Sequence, residues 1–318
     1  MSHSANSDKA FATTFGYLSW VPKGASRARQ IKVPESIEWT SKGGYRLSFD
    51  ELRLFFRILR AALKVNALLI YLRGPITLFT IAVLGLLPKR VRPTIVLVGR
   101  VVNPSKGLRN ILGRIFMKFV IRTITFYVVY STSSIEILSK LWNVDKSKIR
   151  VGYYYMRILD SEVDLTSEAE NKYIFSGGVT ERDFETIIKA ARRLPKHNFL
   201  IGTKNLDEDG NIPRNVKIYW PPEVNEFRQY VHDSQAVIIP IKTNGIRVVG
   251  LMGLLEAMWL KTPVIIANGV GIEDYAQDCE TAIIVDGTVD SYINAINWVL
   301  NPNNAEKVNK ICDQAYSR

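Results

Sequence analysis

The chain has 318 residues, 47% hydrophobic and 23% charged, which suits two domains and excludes a disordered, collagen-like or disulfide-built protein. Its two cysteines, Cys279 and Cys312, show no CxxC or metal spacing, which fits a reducing compartment. The net charge of +12 is unevenly placed: residues 1–160 carry 26 Lys and Arg against 8 Asp and Glu, whereas residues 161–318 carry 16 against 22, so the first half suits an anionic surface or ligand.

The opening "MSHSANSDKAFATT" is polar and lacks the apolar core of a signal peptide. "WVPKGASRAR" (20–29) reads either as a glycine turn lining an acceptor or as a basic loop. "FDELRLFFRILRAALK" (49–64) is a helix with Arg53, Arg57, Arg60 and Lys64 on one face and Leu52, Phe55, Phe56, Leu59 and Leu63 over the rest. Strands follow at "ALLIYL" (67–72) and "TIVLVG" (94–99), with a helix from Ile76 to Leu87 between them. The uncharged run Gly74–Pro88 falls short of the roughly 20 residues that span a bilayer, so a core helix is expected. "LRNILGRIFMKFVIR" (108–122) repeats the basic amphipathic pattern with Arg109, Arg114, Lys118 and Arg122. The strand "ITFYVVYS" (124–131), the helix "SSIEILSKLW" and the strand "IRVGYYY" complete the first half. A polar, acidic stretch near 158–172 marks the boundary.

The second half alternates more regularly. Strands are expected at 173–178, 198–202, 216–221, 236–241, in "PVIIA" and at 282–285. Helices are expected at 182–194, around "VNEFRQYVHDS", through "GLMGLLEAMW" and from Val289 to Leu300. Strands alternating with helices of this length predict parallel sheets covered on both faces, an α/β chain. In such sheets ligands bind beyond the C-terminal strand ends. "GLMGLLEAMWLKTPVIIA" (250–267) places one carboxylate, Glu256, in an apolar helix, where burial demands a partner. That partner is either structural, such as Lys261, or a ligand.

The order of a glycine-ended strand, an Arg-bearing helix, "FLIG", and "AVIIPI…GLLEAMWLKTPVIIA…DYAQDCETAIIVD" resembles the C-terminal domain of GT-B glycosyltransferases, in particular retaining family-4 enzymes. The resemblance covers about residues 171–300; the first half is similar only as a reduced Rossmann-like domain. It implies a GT-B fold of two Rossmann-like domains facing a cleft: residues 1–160 for acceptor and membrane, residues 161–318 for the nucleotide-sugar. In that family the glutamate of the "LLEAM" helix binds the donor ribose, a role that falls on Glu256. The amides of Gly250, Leu251 and Met252 would face the diphosphate. Gly178 ends the first strand. Arg182 matches the phosphate-binding basic residue, against the alternative of a solvated charge, and Lys242 and Arg247 flank the next loop. Tyr219 and Trp220 fall where the base is held, unless they are core aromatics. The family carries a second glutamate eight positions before the first, where this chain has Val248, and an Arg where it has Val179. Arg73 of "YLRGP" occupies the place of a donor-side histidine. The family continues with a helix crossing back to the first domain, beyond where "CDQAYSR" ends.

The expected function is transfer of a hexose, with retention, from a nucleotide-sugar to a lipid-linked or polysaccharide-precursor acceptor. The expected place is the cytoplasmic membrane face, where the two basic amphipathic helices meet anionic lipid. No catalytic base is assigned, no nucleic-acid reader module is present, and no cofactor or metal is expected. Asp207 and Asp209 form a D-x-D, but among turn formers it reads as a solvated acidic loop. The rival functions are a degenerate, non-catalytic GT-B scaffold and a GT-B epimerase or phosphorylase.

Overall fold

The structure is a computed structural model that describes residues 11–13, 28–31, 49–72, 75–99, 109–155, 163–166, 172–206, 212–220 and 223–318. The chain divides into two compact units, Met1–Gly152 and Tyr153–Arg318. Arg73, Asp207, Asp209 and residues 20–27 lie outside the described residues.

The first unit holds a parallel sheet in the order β2-β1-β3-β4-β5-β6, formed by β1 (Phe11–Thr13), β2 (Ala28–Gln30), β3 (Ala67–Tyr71), β4 (Thr94–Val98), β5 (Phe126–Val129) and β6 (Ile149–Val151). β1 and β2 were not expected; β2 takes the end of the segment read as a glycine turn or basic loop. α1 (Phe49–Ala62) and α3 (Arg109–Thr123) both touch α2 (Pro75–Gly85), and α4 (Ser133–Trp142) follows β5. α2 is apolar on almost every side, and only Phe79 among its large residues is exposed. At its end Gly85 is tightly enclosed: a Cβ there would lie 2.3 Å from Thr123 Oγ1 and 3.1 Å from the Phe119 ring.

α1 packs differently from expectation. Its buried stripe is Leu54, Ile58 and Ala62, four residues apart, whereas Leu52, Phe56 and Leu63 are exposed beside Arg53, Arg57, Arg60 and Lys64. In α3, Ile111, Leu112, Ile115 and Phe119 are exposed among Arg114, Lys118 and Arg122. No helix of the described residues is long and apolar enough to cross a membrane.

The second unit holds a parallel sheet in the order β12-β11-β10-β7-β8-β9. Its strands are β7 (Ile174–Gly177), β8 (Phe199–Gly202), β9 (Val216–Tyr219), β10 (Ala236–Ile239), β11 (Val264–Ala267) and β12 (Ile283–Val285). The four inner strands are buried at every residue, as parallel strands covered on both faces must be. α5 (Phe184–Arg193) starts at Asp183, whose carboxylate accepts from the Thr186 amide at 3.3 Å. α6 (Val224–His232), α7 (Leu251–Trp259) and α8 (Val289–Val299) follow. The expected elements end at Leu300, but the chain adds α9 (Ala305–Ser317), which packs on α7. Lys261, just past α7, bonds Asp313 of α9 at 2.7 Å.

The chain lays β7, β8 and β9 outward in one direction, then places β10, β11 and β12 on the other side of β7. The loops after β7 and β10 therefore leave the sheet at its point of reversal, where open α/β sheets bind ligands.

Candidate functional site

The β7–α5 loop opens with Gly178 at φ +121°, a conformation that side chains rarely adopt. A Cβ there would stand 3.0 Å from Nε and Nη2 of Arg182. Arg182 folds back along the loop: its Nε donates to the Gly177 carbonyl at 3.2 Å and its Nη1 to the Thr180 carbonyl at 2.8 Å. The loop crosses the end of β10, where Asp183 N donates to the Pro240 carbonyl at 2.6 Å and Arg182 bridges Ile241. Among the described residues no carboxylate bonds Arg182. Burial lowers its pKa to about 10, with Tyr292 and Glu181 pulling the other way, so it remains a cation at neutral pH.

The β10–α7 loop ends at Gly250, φ +88°, and a Cβ there would lie 3.0 Å from Ile239 Cγ2 and 3.9 Å from Arg182 Nη1. No side chain caps α7. Its first amides, at Leu251 and Met252, therefore meet the Arg182 cation from the positive end of a helix dipole, an arrangement that favours anions. Leu251 is buried and Met252 exposed.

Six residues into α7, Glu256 is 0% exposed. Arg228 Nε, from α6, donates to its Oε1 at 3.1 Å, while its Oε2 is buried without a partner. Burial pushes the carboxyl up to about 7, and the Arg228 contact opposes that rise. The protein partner of Glu256 is thus Arg228, not the Lys261 considered from sequence. Arg228 was missed, although its spacing from buried Val231 already placed it on the inner face of α6.

Lys242 and Arg247 are drawn to the first loop. Lys242 N donates to the Glu181 carbonyl at 3.0 Å, and the Arg247 guanidinium bonds Glu181 Oε1, its Nε at 2.8 Å. Glu181 sits at φ +50°, and its Oε2 is buried without a partner. Val248 follows Arg247 half-buried. Tyr219 ends β9, two strands from β7, and Trp220 follows it. Tyr219 is exposed and donates to Glu226 Oε1 at 2.9 Å, a bond that raises its pKa. Lys204 Nζ stands 4.8 Å above the Trp220 ring. Both aromatics therefore lie at a rim rather than in the core.

The structure gathers Gly178, Arg182, Lys242, Arg247, Gly250, Leu251 and Met252 around the two loops, with Glu256 along the same helix. Among the described residues no three His, Cys, Asp or Glu side chains stand close enough to hold a metal ion.

Two Rossmann-like units in series, each built on a parallel sheet with helices between its strands, define the class of GT-B glycosyltransferases. The chain belongs to the family of glycosyl transferases group 1, whose profile matches residues 159–318. Solved structures share the fold. Anabaena Alr3699/HepE in complex with UDP-glucose aligns with a TM-score of 0.65 at 14% identity over 83% of this chain and 76% of that one. Sucrose-phosphate synthase from Thermosynechococcus elongatus gives 0.65 at 14% over 92% and 78%. The catalytic domain of starch synthase IV from Arabidopsis thaliana, bound to ADP and acarbose, gives 0.61 at 13% over 87% and 76%. No curated protein matches the chain in sequence.

Proposed function

We propose that this glycosyltransferase moves a hexosyl group, with retention at the anomeric carbon, from a nucleotide-sugar to a lipid-linked or polysaccharide-precursor glycan on the cytoplasmic face of a membrane. The observation that carries the donor assignment is Arg182, a cation with only carbonyl partners beside the uncapped start of α7. A diphosphate placed there receives a guanidinium and helix amides together. The half-satisfied Glu256 offers its free oxygen to a ribose diol once the groups covering it move aside. The exposed end of β9 suits a base. The UDP-glucose in the HepE structure and the ADP in the starch synthase structure are ligands of the expected class. Retention rests on the family resemblance.

Catalysis in this arrangement consists of positioning the donor and stabilising the departing diphosphate. Arg182 and the α7 amides accept that charge, so no divalent cation is required. Membrane attachment is supported by the first unit, where α1 and α3 expose apolar side chains among basic ones.

Thermal-shift and calorimetric screening against UDP, ADP and GDP, each beside one of its sugar nucleotides, tests the donor assignment. One nucleotide series should bind, and the Arg182→Gln protein should lose it. Failure of all of them to bind the folded wild type refutes the proposal. NMR of the product then reports whether the anomeric configuration is retained.

A further inference from the structure

We propose that Glu181 reads a hydroxyl of the donor sugar with its Oε2 atom, and that Arg247 holds the carboxylate in place for it. The inference rests on the donor site proposed above and extends it to the sugar.

Among the described residues five buried side-chain polar atoms have no hydrogen-bond partner, and two of these are carboxylate oxygens, on Glu256 and Glu181. Both show the same pattern: an arginine takes one oxygen and leaves the other empty. A carboxylate oxygen buried without a donor is costly, and a ligand hydroxyl removes that cost. No side chain crowds Glu181 Oε2 from the facing turn, because residue 245 is glycine; a Cβ there would stand 3.0 Å away.

The positions follow the order of a nucleotide-sugar. Glu256 lies six residues inside α7, roughly 9 Å from the helix start, and marks the ribose. Arg182 and Gly250 mark the diphosphate. Glu181 is the next residue to Arg182, and its carbonyl ties the loop to Lys242. A donor laid with ribose on Glu256 and diphosphate on the start of α7 brings its sugar to the pair of loops that carries Glu181. Val248 offers no polar group there, so Glu181 supplies the carboxylate. Arg247, compensated by Glu181, serves as a positioning residue, and the diphosphate is left to Arg182 and the helix amides.

The test uses the nucleoside diphosphate and the sugar nucleotide that the wild-type chain binds in the screen. Calorimetry is run on wild type, Glu181→Gln and Glu181→Ala, each checked for folding by circular dichroism. Sugar-nucleotide affinity should fall about tenfold or more, the effect of one charge-assisted hydrogen bond, while diphosphate affinity stays within about twofold. Arg247→Ala should reproduce this sugar-specific loss and Arg247→Lys should largely restore binding. A donor lacking the hydroxyl that is read should lose affinity for wild type but not for Glu181→Gln. Equal losses for diphosphate and sugar nucleotide make Glu181 merely structural and overturn the inference. Tighter diphosphate binding by the variants identifies a latch on Arg247 and also overturns it. A wild type that binds neither ligand refutes the donor site itself.

Discussion

Sugar-nucleotide affinity should rise about tenfold between pH 6 and pH 8, with Glu256 as the group responsible. With its carboxyl pushed up to about 7 by burial, Glu256 is ionised in about one molecule in eleven at pH 6 and in about ten in eleven at pH 8. A ribose diol donates to the ionised form, so affinity follows the ionised fraction. A sugar nucleotide is the right probe, because the terminal phosphate of a free diphosphate titrates near pH ~6 and would add its own slope. Calorimetry at three pH values and constant ionic strength reads the effect. Glu256→Gln should flatten the profile and weaken binding at pH 8 by about 1.5–3 kcal/mol. The unliganded protein gives a second measure. A carboxyl whose folded pKa lies above its ordinary 4.5 contributes stability that is complete below that value and lost as pH rises through about 7. Relative to wild type, Glu256→Gln should therefore gain up to about 3 kcal/mol of unfolding free energy as the pH is raised across that window. A flat wild-type binding profile, or an equal slope in the variant, refutes the assignment of Glu256 to the ribose.

Arg182→Gln should weaken diphosphate binding by about 1.5–3 kcal/mol, measured by calorimetry; unchanged affinity removes it from the anion site. Gly85→Ala should lower stability by about 1–3 kcal/mol in urea unfolding, because its methyl meets Thr123 and Phe119 between α2 and α3. Replacing Arg53, Arg57, Arg114 and Lys118 with Gln should release the protein from anionic vesicles in a sedimentation assay, and wild-type binding should fall steeply with salt. Transfer activity should persist in excess EDTA; its loss, with rescue by magnesium or manganese, would show that a metal shares the diphosphate.

The sheet of the second unit was legible because each inner strand is a short apolar run bounded by turn formers, and α7 because its stripe and its glycine start are local patterns. The partners of its charges were not legible. Arg228 and Glu256 lie 28 residues apart, and Arg247 and Glu181 lie 66 apart, so only the folded sheet brings them together. β1 and β2 are three-residue strands whose pairing, rather than composition, makes them strands. α1 misled for a different reason: its large apolar residues outnumber the small buried stripe Leu54, Ile58 and Ala62. α9 did leave a signal, since Val308, Ile311, Cys312 and Ala315 repeat at helical spacing.

Glu181 is held at φ +50°, where a residue other than glycine or asparagine carries roughly 1–2 kcal/mol of strain. Glycine at this position relieves the backbone but discards the carboxylate. Screens for heat tolerance and screens for turnover should consequently favour different residues here. In a thermostabilised variant, position 181 would be the first place to look for activity traded away.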